Sequence, residues 1–217
     1  MNLPQRLLKW PQTVACQVHS ALFLPAHDMH PSQFEQRIPT SLQGISLASL
    51  SQALRGNEQD WAREFDGRQR WHRLALLPRA VIERLCWNLG VLTHADELRK
   101  RVLREDLEFL AQHGMDEAAW TLVFQGPAFS SDASILAPSS LDQWPDLMRR
   151  TGEQSLAAMA KVLPPSLGQR LLWKLPLASS AGASAHNAAL LNLAYEATVP
   201  CWSADWDDCL TEAALVH

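Results

Sequence analysis

Between Pro78 and Gly126 the chain is punctuated so closely that it can only fold as short helices packed at sharp angles. Pro78 suits the first turn of a helix, where its missing N–H costs nothing. Val81, Leu85, Leu89 and Leu92 then recur at spacings of three and four. Thr93 reads as the N-cap of a second helix, with Asp96 three residues on in a variant of the capping box. That helix is expected to end at Gly114, a residue suited to the left-handed position just past a helix C-terminus. Asp116 then caps a third, short helix, which Gln125-Gly126-Pro127 stops. Joints of one or two residues leave no slack for another arrangement.

The same signals predict helices near 12–24, 46–55, 58–66, 146–162, Leu167–Leu175 and 186–197, with a last one from about 205. Pro25, Pro31 and Pro39 break the chain after the first of these, Pro164-Pro165 ends the fourth, and 126–140 reads as a loop. The small, polar stretch at 178–185 reads as a linker. The remaining glycines sit singly and read as helix stops. The expected fold is all-α, one irregular multi-helix globular domain over 1–217 with short helix–helix joints.

With 47% hydrophobic and 19% charged residues, the chain has the apolar material for a core. No apolar run approaches the roughly 18 residues that a membrane span needs. Pro4 and Pro11 interrupt the N-terminal stretch, so no signal peptide is expected and the cytoplasm is the expected location. Cys16, Cys86, Cys201 and Cys209 lack metal-type spacing and read as free thiols. No cofactor is expected: there is no P-loop, dinucleotide-binding fingerprint, zinc-protease helix motif or nucleophile elbow. His27 and His30 could offer imidazoles to a metal, but a loop with incidental histidines explains them better. Cys86 with His72 or His94 imitates a Cys–His pair, yet its apolar helix favours a buried thiol.

Wound as a helix, residues 94–112 gather Ala95, Leu98, Val102, Leu103, Leu107, Phe109 and Leu110 on one half. His94, Glu97, Lys100, Arg101, Arg104, Glu105 and Glu108 face the other way, with Asp96–Lys100 and Glu97–Arg101 as i,i+4 pairs. Arg99 and Asp106 fall within the apolar half, so they either pair at the core's edge or belong to a contact surface. The acids on this helix argue against a DNA-reading role, since phosphate would repel them. Charge is also uneven along the chain: no Lys or Arg follows Lys174, whereas Glu196, Asp205, Asp207, Asp208 and Glu212 do.

Two segments read as contact patches. Near the C-terminus Trp202 and Trp206 stand among Asp205, Asp207 and Asp208, an arrangement suited to an interface or to a terminal helix docking its Trp face on the domain. At 66–73, Arg68, Arg70 and Arg73 flank Trp71.

The run RLCWNLGVLTHADELRKRVL at 84–103, continuing to QGPAF at 125–129, resembles the type III secretion sorting-platform accessory proteins called SctK, the YscK/PscK group. GQRLLWKLPL at 168–177 and TVPCW at 198–202 are similar to later segments of that family. Counting the run from 84 through 129 as continuous, the resemblance covers roughly a third of the chain. It implies a non-enzymatic, largely helical cytoplasmic adaptor. The partners it implies are the cytoplasmic domain of the inner-membrane ring protein SctD and the pod protein SctQ, with the stalk SctL and the ATPase SctN reached indirectly. The alternative is a secretion chaperone or regulator that holds a client's amphipathic helix.

Overall fold

The computed structural model describes residues 24–38, 44–55, 64–101, 103–125, 138, 140–180, 187–202, 206 and 209. Among them every regular element is helical, as expected for an all-α fold. The α-helices are α1 (Pro31–Arg37), α2 (Leu47–Arg55), α3 (Arg79–Thr93), α4 (Ala95–Leu98), α5 (Arg104–Gln112), α6 (Glu117–Gln125), α7 (Trp144–Ala160), α8 (Pro165–Lys174) and α9 (Ala188–Trp202). Shorter-pitched 3-10 segments cover Pro25–His27, Arg70–Leu76, Leu141–Gln143 and Leu177–Ser180.

The architecture is organised around α3. Every residue from Leu85 to Leu92 is buried, so this part of the helix is covered on all sides. Its principal neighbour is α7, with α9 packed beside it. Two glycines set the α3–α7 contact. A Cβ on Gly90 would collide with the Met148 carbonyl oxygen and lie 2.9 Å from Met148 Cα. A Cβ on Gly152 would do the same to the Cys86 carbonyl, 3.0 Å from Cys86 Cα. Position 86 meets 152 and position 90 meets 148, so the helices run antiparallel with their backbones in direct contact. Gly90, Gly152 and Gly168 thus lie inside helices; only close packing explains them, and reading them as stops is corrected. Gly114, at φ 102°, does end α5 as expected.

One core joins Leu74–Leu77, one side of α3, α7, α8, α9 and Trp206. A second joins Trp87, Val91, Ala95, Leu98, Leu110, Met115, Ala119, Val123, Trp144 and Met148, and holds α4, α5 and α6 against the opposite side of α3. Asn88 Nδ2 donates to Thr198 Oγ1 at 2.9 Å, tying α3 to α9 through the interior.

The helix expected over 94–112 is two helices. It stops at Leu98, where Arg99 folds back to donate from Nε to the Val123 carbonyl at 2.8 Å and from Nη1 to Asp96. The i,i+4 pairs are therefore replaced by Asp96–Arg99 and Glu97–Lys100 at i,i+3. Arg99 and Asp106 do not pair with each other: Asp106 meets Arg101 at 3.5 Å. Leu103, expected in the apolar half, is 66% exposed just before α5. His94 is buried rather than outward-facing, and Thr93 closes α3 with its hydroxyl bonded back to the Leu89 carbonyl instead of capping α4.

The proline-broken stretch also folds. His30 caps α1 by accepting from the Ser32 N–H, and Gln33 reaches the Leu172 and Leu175 carbonyls at the end of α8. The linker reading is corrected at 178–180: this part is helical, and Ser179 is buried with its hydroxyl on Glu153. Nearly all of the helix expected near 12–24, all but Trp206 and Cys209 of the segment from about 205, most of the helix near 58–66, nearly all of the 126–140 loop and 181–185 of the expected linker lie outside the described residues.

Asp116 caps α6 as expected, accepting from the Ala119 N–H at 2.8 Å, and also receives Arg84 Nη2 at 2.7 Å. Asp116→Ala should cost about 1 kcal/mol by urea denaturation. Asp116→Asn should cost only a few tenths, because asparagine still caps and the half-exposed ion pair is weak. Equal losses in the two variants would assign the stability to the ion pair instead.

Candidate functional site

A cleft of about 510 Å³ opens where α3, α7 and the end of α8 meet, lined among others by Glu83, Arg84, Cys86, Trp87, Arg149, Glu153 and Lys174. Its ionisable groups are largely held by the fold. Lys174 is buried, and its ammonium donates to the Ala75 carbonyl at 2.7 Å and the Leu77 carbonyl at 2.5 Å, closing the end of the Arg70–Leu76 segment. Burial lowers its pKa to about 8, against a smaller pull from Asp28. Burial raises the Glu153 carboxyl, although the Ser179 hydroxyl donates to it. Burial, then Glu153 and Glu83, push the Cys86 thiol well above its ordinary range, so it stays protonated and unreactive at neutral pH. The imagined Cys–His pair is not formed: His94 Nε2 meets Thr151 Oγ1 at 3.1 Å, and His72 Nδ1 accepts from the Asp66 N–H at 3.0 Å. Among the described residues no cluster of three or more His, Cys, Asp or Glu could hold a metal.

The two expected contact patches fare differently. Trp206 is fully buried in the main core, which corrects its reading as an interface residue and agrees with a terminal segment docking its Trp face. Trp202 closes α9, but its side chain, like Asp205, Asp207 and Asp208, lies outside the described residues. In the second patch Arg73 is buried, with Nε donating to the Gly67 carbonyl at 2.8 Å, so it serves the fold and not a surface. Trp71 is half-buried, edge-on to Tyr195. Arg70 spans from that segment to α9, donating to Asn192 and Glu196 and lying 5.3 Å from the Tyr195 ring centre. Arg68 alone of the four is exposed. On the other side of the molecule Arg99 and Asp106 are tied into local pairs, so neither heads a free charged surface.

A different surface emerges on α6. Glu117, Thr121 and Phe124 are exposed, and Trp120 is half-buried on the same face. Phe124 is 65% exposed, and its ring stacks on Trp120 with centroids 5.8 Å apart and planes 23° apart. The signal for this surface is in the sequence: EAAWTLVFQ carries more apolar side chains than one core-facing stripe needs, with Trp120 and Phe124 four apart. Val123 and Ala119 fill the core side, leaving the aromatic pair at its outer edge.

Comparison with protein-family models, curated proteins and solved structures gives no match.

Proposed function

We propose that this chain is a non-enzymatic cytoplasmic adaptor of a type III secretion sorting platform. In this reading it links the cytoplasmic domain of the ring protein SctD to the pod protein SctQ, and through it to the stalk SctL and the ATPase SctN. Nucleic acid is not a partner, and the chain does not insert in the membrane. Two things support the reading: the resemblance of 84–103, 125–129, 168–177 and 198–202 to the SctK group, and the disposition of reactive and apolar groups.

The observation that carries it is this disposition. Cys86, His94 and Lys174 are buried and built into helix packing, whereas Leu103 and Phe124 stand more than half exposed beside charged helices. A protein that works by contact needs exposed apolar anchors more than available nucleophiles. No described helix is long and apolar enough to cross a membrane.

Light scattering after size exclusion tests the reading. The chain, mixed separately with the SctD domain and with SctQ, should co-elute with each, and more weakly as salt is raised. Separate elution from both at high micromolar concentration and low salt would end the proposal. Stoichiometric copurification with a secreted client would favour the chaperone alternative.

A further inference from the structure

We infer that the outward stripe of α6, Glu117–Trp120–Thr121–Phe124, docks an amphipathic helix of a partner protein, one with an apolar stripe edged by a basic residue. The inference rests on the adaptor reading only for who that partner is. Positions i, i+3, i+4 and i+7 share one helix face, so these side chains line up along about 10 Å of axis. Single exposed apolar residues need no explanation. This pair differs because Trp120 is packed against the second core from beneath and Phe124 stacks on it. Trp120 is therefore held by the core and restricts the Phe124 ring beside it, so less side-chain entropy is left to lose on binding.

Charge selects the occupant. Residues 95–125 hold seven carboxylates against four basic side chains. Five of the acids are in ion pairs: Asp96 with Arg99, Glu97 with Lys100, Asp106 with Arg101, Glu108 with Arg104 and Asp116 with Arg84. Glu117, exposed at one end of the stripe, has no ion pair among the described residues. A lysine or arginine about two turns from the partner's apolar anchor would meet it. A second copy of this chain fits poorly, since an antiparallel two-fold pairing of α6 would set Glu117 against the copy's Phe124 end, and Glu117–Gln125 contains no basic side chain to meet it.

The test uses the isotope-labelled full chain and two synthetic peptides that form amphipathic helices. Each has a leucine stripe, edged by lysine in one and by glutamate in the other. The lysine peptide should shift the amides of Glu117–Gln125 most, and the glutamate peptide should bind at least about tenfold more weakly. Phe124→Ala and Glu117→Lys should each weaken the lysine peptide by about tenfold at an unchanged thermal midpoint. Shifts centred elsewhere, no binding, or equal binding of both peptides would overturn the inference. So would a fall in native mass on Phe124→Ala, which would assign the face to a second copy. If SctD or SctQ binds wild type and both variants equally, this surface falls and the adaptor reading stands. If neither protein binds while the lysine peptide does, the adaptor reading alone falls.

Discussion

Gly152→Ala should lower stability by about 3–5 kcal/mol, a large share of the roughly 5–15 kcal/mol that holds an ordinary domain folded. On helix propensity alone the change should help, by about 1 kcal/mol. Packing reverses the sign. The added methyl would enter the space of the Cys86 carbonyl on α3, and backbone cannot move aside as the tip of a side chain can. Both helices would have to separate, loosening the contact that the main core shares with α9. Gly90→Ala should cost a similar amount, because its Cβ meets the Met148 backbone of α7. The double variant should lose less than the sum, since one separation accommodates both methyls. Gly44→Ala is the control: nothing lies within 4 Å of its Cβ, so little change is expected. Denaturant midpoints for the four variants decide the matter, and a Gly152→Ala protein as stable as wild type would show that α3 and α7 do not touch backbone to backbone.

Acid should weaken the fold through His94 before the carboxylates are neutralised. The ring is 2% exposed, edge-on to Trp144 at 5.7 Å, with Arg101 over the same indole at 5.4 Å. Burial lowers its pKa from 6.5 to about 4, against a smaller upward pull from Glu97. The folded state therefore resists a proton that the unfolded chain accepts. Stability from this group is complete above pH 6.5 and lost as pH falls toward 4, by about 3 kcal/mol in all. His30 and His72, also lowered chiefly by burial, add smaller losses of the same sign. Glu153 acts oppositely: its raised carboxyl takes up a proton in the folded state first, so acid relieves a cost there. A His94→Gln variant isolates the main contribution, keeping a polar group near Thr151 without the titration. Its stability should change less between pH 6.5 and 4 than that of wild type. Parallel curves would mean that the acid sensitivity lies elsewhere.

Local signals were legible where one residue's chemistry decides the outcome. Gly114 takes the left-handed position after α5, and Asp116 caps α6, because each needs only its immediate neighbours. What failed to read depends on contacts distant in the chain. The periodicity of 94–112 describes one helix, but Leu103 takes an extended backbone before α5, and the Arg99 side chain is spent on the Val123 carbonyl of α6, a contact that spacing along the chain does not announce. Gly90 and Gly152 resemble helix stops until α3 and α7 are laid together. Arg73 and Trp206 look like contact residues by type, yet Arg73 finds a backbone carbonyl and Trp206 finds the core. The Trp120–Phe124 platform was hidden for a related reason: a helix rich in apolar residues does not say which of them face inward until Ala119 and Val123 have taken the core side.

The bridging role proposed for this chain is tested most directly by a three-component mixture. The SctD cytoplasmic domain and SctQ would be run together on a sizing column with light scattering, with and without this chain. The two should elute apart on their own and co-elute when the chain is added, in one species whose mass contains all three. If SctD and SctQ remain separate in its presence, or if the chain binds each only by displacing the other, it does not act as a bridge.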